Sequence, residues 1–340
     1  LRKVFETVLA RCIAEGVVGG EAFAVDASII KADANREGGG PGVDGLPPEI
    51  LHRRAVQEYL ATLDEAAFGG STPVEPKFLS PVDPAARWTR TYKDGAAKYS
   101  YSVNYLIDCK HAVIMDVEGT TAVRTAEVHS TRVMLDRVEA RNHIKPDRLS
   151  GDTAYGSAEM LNWLVNERGI EPHIPVFDKS FRKDGIFERS DFTFDAEDDR
   201  YVCPAGKSLR RYRVAGRAAK AKPPRDGLYR YRARKTDCDD CPLKHRCCPK
   251  EPMRKILRSV HEEARDVARR IMASEAYVTS RRERKKVEML FAHLKRILKL
   301  DRLRLRGPNG AKDEFLLAAT AQNLRKLAKL SIQGALPAAG

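Results

Sequence analysis

The order in which strand-like and helix-like patterns follow one another is the strongest constraint on what this chain can fold into. AFAVDASIIKA alternates and is β-prone around Val25, so it reads as a first strand with Asp26 on it or at its end. KYSYSVNYLI and HAVIMDV read as two further strands joined through Asp108, Cys109 and Lys110, a hairpin. A helix is expected from Thr125 to Asn142. A short apolar piece then precedes Asp152, followed by a helix in SAEMLNWLVNERG and a strand in EPHIPVF. Strand, paired strands, helix, strand, helix, strand is the pattern of an α/β fold, a mixed sheet flanked by helices.

On either side of this alternation the patterns change. LRKVFETVLARCIAE sets Val4, Val8 and Cys12, with Phe5, Leu9 and Ile13 on the adjoining flank, at helical spacing, and Gly16, Gly19 and Gly20 end the helix. It reads as the tail of a helical region, and a chain that opens on Leu1 with Met115 as its first methionine is expected to lack its original N-terminus. Residues 36–50 read as a loop, LHRRAVQEYLATLDEAAF as a helix and 69–87 as a second loop. From about Asp178 to Pro252 charges and cysteines replace the long apolar runs, which reads as an inserted module. Helical stretches are expected from Leu257 to Ala273, Ser280 to Leu305 and Ala311 to Leu330, the last two separated by GPNG at 307–310. The expected organisation is a helical tail over 1–20, a catalytic domain begun over 21–176 and completed over 257–332, the module over 177–256 and a tail over 333–340.

Composition narrows the partners. The 61 Lys and Arg against 47 Asp and Glu give a formal charge of +14, which favours a polyanion, nucleic acid first. No apolar run approaches the roughly 20 residues of a membrane span. Four of the 7 cysteines crowd one short stretch, which reads as a metal site in a reducing, cytoplasmic setting before a disulfide scaffold.

Three acids stand out. Asp26 lies in an apolar strand, where a carboxylate is costly unless paired or metal-bound; its ordinary alternative is a strand-end acid capping a turn. Asp152 precedes a helix, and its alternative is an N-cap. In RRERKKVEMLFAHLKRILKL the residues Val287, Leu290, Phe291, Leu294, Ile297 and Leu298 form an apolar stripe that Glu288 borders, with Arg281, Arg284 and Lys295 along the same side. The alternative there is a surface pair between Arg284 and Glu288 worth a few tenths of a kcal/mol, on the order of 0.3. Two strand-associated acids and a glutamate on a late basic helix suit phosphoryl transfer on DNA. Carboxylates hold Mg²⁺ or Mn²⁺, and two such ions activate the attacking oxygen and stabilise the leaving one. Asp33, Asp83 and Asp108 are rival acids in segments that read as turns or loops.

FAVDASIIKADANR, SPVDPAARWT, GDTAYGSAEMLNWLVNERGIEPHIP, YVCPAGKSL, CDDCPLKHRC and RRERKKVEMLFAHLKRILKLDRLRLRG resemble the insertion-sequence DDE transposases. The catalytic domain of that family has the ribonuclease H-like fold shared with retroviral integrases. The last stretch is similar to the family's tyrosine, arginine, glutamate and lysine signature. Arg284, Glu288 and Lys295 fit its spacing, whereas Arg281 stands where the tyrosine is expected and the nearest tyrosine, Tyr277, lies one turn upstream. The resemblance implies that Asp26, Asp152 and Glu288 hold two Mg²⁺ or Mn²⁺ ions and that Arg284 and Lys295 hold DNA phosphate; Arg281, on the same side of the helix, is a further expected DNA contact. Water would cut at an element end and the freed 3′ hydroxyl would attack target DNA. It further implies a homo-oligomer on DNA, close to the nucleoid and off the membrane. Two other readings stay open: a nuclease of this fold that cuts without joining, and a decayed transposase that only binds DNA.

Cys203, Cys238, Cys241 and Cys247, with Cys248 as a substitute, suit a structural zinc, because a two-residue gap lets one turn present two thiolates; free packed thiols are the alternative. Cys12 and Cys109 lie in apolar segments and read as core. Between Ala205 and Thr236 twelve Lys or Arg face one acid, Asp226, with Tyr212, Tyr229 and Tyr231 interleaved. That run suits phosphate contacts with some aromatic stacking, or else a solvated linker.

Overall fold

The structure is a computed structural model that describes residues 1–35, 46–64, 78–90, 95–177, 185–212, 224 and 227–332. In chain order it forms α1 (Arg2–Ala14), β1 (Ala22–Lys31), α2 (Arg54–Asp64), β2 (Arg87–Thr89), β3 (Lys98–Asp108), β4 (Ile114–Thr121), α3 (Arg124–Asn142) and β5 (Arg148–Ser150). There follow α4 (Ala158–Asn162), β6 (Glu171–His173), β7 (Thr193–Asp195), β8 (Arg200–Val202), β9 (Ser208–Arg211) and β10 (Leu228–Arg232). The chain closes with α5 (Lys235–Asp239), α6 (Lys244–Cys247), β11 (Lys255–Ser259), α7 (Glu262–Met272), α8 (Glu275–Arg296) and α9 (Gly307–Ile332). The loops expected over 36–50 and 69–87, much of the basic run after Ala205 and the tail 333–340 lie wholly or partly outside the described residues.

The chain divides into two compact units. The first takes Leu1–Tyr155, Gly169–Pro175 and the chain from Ile271 onward; the second takes Gly156–Arg168 and Val176–Arg270. In the first unit β3 pairs antiparallel with β1, β2 and β4, while β1 pairs parallel with β5 and β5 with β6, giving a mixed α/β sheet of six strands. Buried tyrosines on β3, Tyr99, Tyr101 and Tyr105, fill its centre. The Tyr105 hydroxyl donates to Gln322 of α9 at 2.9 Å, and Ser102, three residues away, donates to Glu127 of α3 at 2.7 Å. Since residues an odd number apart on a strand project to opposite faces, α9 and α3 cover different sides of the sheet. α1 docks on α9 through buried Phe5, Leu9 and Cys12, leaving Val4 exposed, so the core-facing side is the Phe5 flank.

Three expected boundaries shift for local reasons. Leu257 lies in β11, not a helix, because Lys255–Ser259 pairs residue by residue with β10, and the helix begins at Glu262. On α8 Val287, Phe291 and Leu294 are buried as expected, but Ile297 is 61 % exposed because the helix ends at Arg296. GPNG is not a break: Gly307 and Pro308 open α9, where proline's missing N–H costs nothing. Gly307 has φ +84, and its N–H donates to buried Asp83 at 3.1 Å.

The second unit is an antiparallel five-stranded sheet in the order β11, β10, β9, β8, β7. Phe192, Tyr201, Leu209, Tyr231 and Ile256 form its core with Cys238 and Cys248. The carboxylate of Glu262, 1 % exposed, is met by Arg189, Arg265 and Arg269. Among the described residues no helix is long and apolar enough to cross a membrane.

Candidate active site

Asp26 sits in the middle of β1, directly opposite Tyr105 of β3. Opposed residues of an antiparallel pair share a face. The Tyr105 ring stacks on Phe291 of α8, with centroids 4.8 Å apart, so α8 lies over the face on which Asp26 projects. Glu288 is one turn before Phe291 and Arg284 one turn before Glu288. The result is a guanidinium between two acids: Arg284 Nη1 is 3.5 Å from Asp26 Oδ2, and Arg284 Nη2 is 3.4 Å from Glu288 Oε1. Burial pushes the Asp26 carboxyl up to about 6; the Ala27 N–H and Arg284 oppose the shift, and the charges of Asp152 and Glu288 add to it.

Asp152 reaches this neighbourhood from the adjacent parallel strand. Ala24 of β1 is paired with Ser150 of β5, and Asp26 and Asp152 each lie two residues further on. Its Oδ1 accepts the Ala154 N–H at 2.7 Å, so it does cap the short 3₁₀ turn Thr153–Tyr155, as its ordinary reading expects. That cap uses one oxygen of a carboxylate that offers several acceptor sites.

Two groups at this place carry no motif of their own. Glu127, in the first turn of α3, has its carboxyl raised chiefly by burial; the Ser102 hydroxyl lowers it and the Asp152 charge raises it further. Tyr155 is buried, and among the described residues its hydroxyl has no hydrogen-bond partner. Its phenol stays far above the usual value through burial first, then through the charges of Asp26, Glu127 and Asp152. Gly151 makes room for the ring, since a Cβ there would stand 3.1 Å from Tyr155 Cδ2. The nearest sequence cue was the Tyr155 and Gly156 pair that follows Asp152.

Other expected positions fall elsewhere. Arg281 is exposed, and Lys295 is half-buried, its ammonium lowered by burial against the charge of Asp301. Among the described residues neither forms an ion pair with the three acids. The rival acids have structural partners: Asp33 pairs with Arg302 and Arg306, Asp83 accepts from Tyr101 and Gly307, and Asp108 accepts the N–H groups of Gly19 and Gly20.

In the second unit Cys203, Cys238, Cys241, Cys247 and Cys248 all line one cavity of about 20 Å³. Cys203 opens a tight turn in which Gly206, at φ +74, donates to the Cys203 carbonyl and the Lys207 N–H points at Cys203 Sγ, 3.3 Å away. Cys248 is more buried than Cys247. Burial, then the neighbouring Cys248, pushes the Cys247 thiol up to about 12. Among the described residues no three His, Cys, Asp or Glu side chains are grouped so as to hold a metal ion as they stand. Around Asp26 the opposing cation is instead the Arg284 guanidinium.

No curated protein and no solved structure matches the chain. Residues 202–328 match the family model described as Transposase DDE domain, a stretch that runs from β8 into α9 and includes Arg284 and Glu288. Through these residues, less than half of the chain, it is similar to the transposase DDE domain family.

Proposed function

We propose that the chain is a DNA transposase with a ribonuclease H-like catalytic unit, in which Asp26, Asp152 and Glu288 hold two Mg²⁺ or Mn²⁺ ions. One observation carries the reading. Asp26 is a half-buried carboxyl raised to about 6, with Asp152 and Glu288 in its field and, among the described residues, the Arg284 guanidinium as its ion-pair partner. A crowd of hard oxygen donors short of positive charge is the environment that a divalent cation relieves. The mixed sheet flanked by helices supports the fold assignment.

When bound, the ions would activate the attacking oxygen and stabilise the leaving one. The chain's own residues account for the rest. β1 and β5 fix Asp26 and Asp152 on rigid backbone. α8 brings Glu288 on a half-exposed side chain whose pairing with Arg284 is of the weak, exchangeable kind. Once released from the acids, Arg284 holds DNA phosphate, and exposed Arg281 extends the cationic side of the helix. Water attacks the phosphorus at the element end and the 3′ oxygen leaves as a hydroxyl. That hydroxyl then attacks a target phosphodiester and displaces its 3′ oxygen. In the second unit, five thiols around one cavity support a structural zinc, for which thiolates are the preferred donors.

Incubating the purified chain with Mg²⁺, target DNA and a labelled donor bearing a free 3′ hydroxyl tests the reading. Joint products lost in Asp152→Ala are expected. Cleavage without joining would leave a nuclease, and DNA binding with no Mg²⁺-dependent chemistry in the parent would leave a DNA-binding protein.

A further inference from the structure

The strand register of the second unit lines up cations that a sheet alone has no reason to align. Arg200 of β8 is opposite Arg210 of β9, Arg210 is opposite Arg232 of β10, and Arg232 is opposite Lys255 of β11. Like charges directly opposite one another destabilise a sheet. Four in register form a ladder across four strands, spanning roughly 14 Å at about 4.8 Å per strand.

The two ends of the ladder are compensated. Arg200 pairs with Asp195 and Asp198, each at 3.0 Å, and Lys255 pairs with Glu251. The middle is not: Arg210 and Arg232 are exposed, and among the described residues neither has an acidic partner. They open onto a groove of about 680 Å³ whose other cations are Lys207, Arg211, Arg234 and Lys235; Asp237 lines it too, and Arg211 pairs with Asp199 at 3.6 Å.

The aromatics of this region indicate which polyanion fits. Arg232 lies over the Tyr212 ring at 3.9 Å and Arg211 over the Tyr229 ring at 3.7 Å. On the ladder's face the Tyr212 ring therefore gives a face to the Arg232 guanidinium and holds it flat, which pre-orients donors for phosphate and reduces what is left for stacking bases; Arg211, next to Arg210 and on the other face of β9, pairs with Asp199. Single-strand binders use aromatic faces for bases, whereas duplex backbone binding needs cations alone.

We propose that the Arg210 and Arg232 face of the second unit is a docking surface for the phosphate backbone of double-stranded DNA, read without regard to sequence. The proposal rests on the transposase reading for its partner. Its residues are separate, since none of the three acids is among them.

The test is fluorescence anisotropy of the full chain with a labelled duplex of arbitrary sequence and a single strand of equal length, over a salt series. Arg210→Gln with Arg232→Gln should weaken duplex binding about 10-fold at moderate salt and lower the slope of log K against log salt by about 2, one for each lost phosphate contact. Lys250→Gln with Arg270→Gln, at exposed positions outside the groove, should leave more of the slope intact. Thermal melts check folding, and Arg210→Lys with Arg232→Lys should retain the slope because it retains the charge. An unchanged slope in the folded Gln variant, or tighter binding of the single strand than of the duplex, would overturn the proposal. If the Gln variant loses duplex binding while the parent never cleaves with Mg²⁺, the docking surface stands and the transposase reading fails. If the parent joins DNA and the Gln variant binds normally, the reverse holds.

Discussion

Arg284 stands 3.5 Å from the Asp26 carboxylate, a cation from α8 set against a half-buried acid of β1. It competes for the charge that a divalent ion would take. Arg284→Gln should therefore raise Mn²⁺ affinity, measured by calorimetry, about 3- to 10-fold, which corresponds to roughly 1 kcal/mol. If Arg284 holds DNA phosphate as proposed, cleavage should fall in the same variant. A drop in Mn²⁺ affinity would show that Arg284 supports the metal site and does not compete with it.

Among the described residues the Tyr155 hydroxyl is a buried donor without a partner. Removing an unsatisfied polar atom returns its desolvation cost, on the order of 1 kcal/mol. Tyr155→Phe should melt at the same temperature or higher without metal. If the hydroxyl finds its acceptor among the acids during reaction, DNA cleavage should fall about 10-fold with duplex binding intact. A lower melting point would reveal a partner already present in the resting protein.

Asp83 has its carboxyl raised from 3.8 to about 6, chiefly by burial, with the Tyr101 hydroxyl and the N–H groups of Gly307 and Ala86 opposing. A group raised in the folded state contributes stability that is fully present below its unfolded value and is lost as pH rises through the folded one. Asp83 should therefore cost the protein on the order of 2 kcal/mol between about pH 4 and pH 6. Asp83→Asn should flatten the fall of melting temperature across that window. An equal slope in both proteins would refute the assignment.

Gly307, which donates to Asp83, tests the same junction from the backbone side. At φ +84 a side chain is strained, and a Cβ would stand 3.1 Å from the Ala55 Cα. Gly307→Ala should destabilise by about 1–3 kcal/mol in chemical denaturation.

If the thiol cavity holds zinc, the purified chain should contain one zinc per molecule by mass spectrometry. Chelation should then lower its melting temperature. Cys238→Ser and Cys248→Ser, at the two buried positions, should lose the metal. A zinc-free chain that is insensitive to chelators would leave the cysteines as packing residues.

The first unit was legible where local pattern and burial coincide. The alternation of AFAVDASIIKA and of the Asp108 hairpin predicted β1, β3 and β4, and the stripe of Val287, Phe291 and Leu294 predicted the buried side of α8. It misled where a tertiary partner decides. Leu257 fits a helical period but is drawn into β11 by β10, and Ile297 continues the stripe past the point where the helix stops. Glu127 and Tyr155 could not be read at all, because their meaning lies in proximity to Asp152 across α3 and a 3₁₀ turn. Arg284 was legible as a cation on the right side of α8, but its place between Asp26 and Glu288 is a fact of packing.

The long excursion between β6 and α8 has a consequence in time. Asp26 and Asp152 emerge before Val176–Arg270 is made, whereas Glu288 arrives only after those 95 residues. The sheet can pair while α8 does not yet exist, and closing so long a loop is slow but adds only modest further entropy. A nascent or C-terminally shortened chain thus holds two of the three carboxylates and lacks the third. The candidate site is incomplete until α8 has been made.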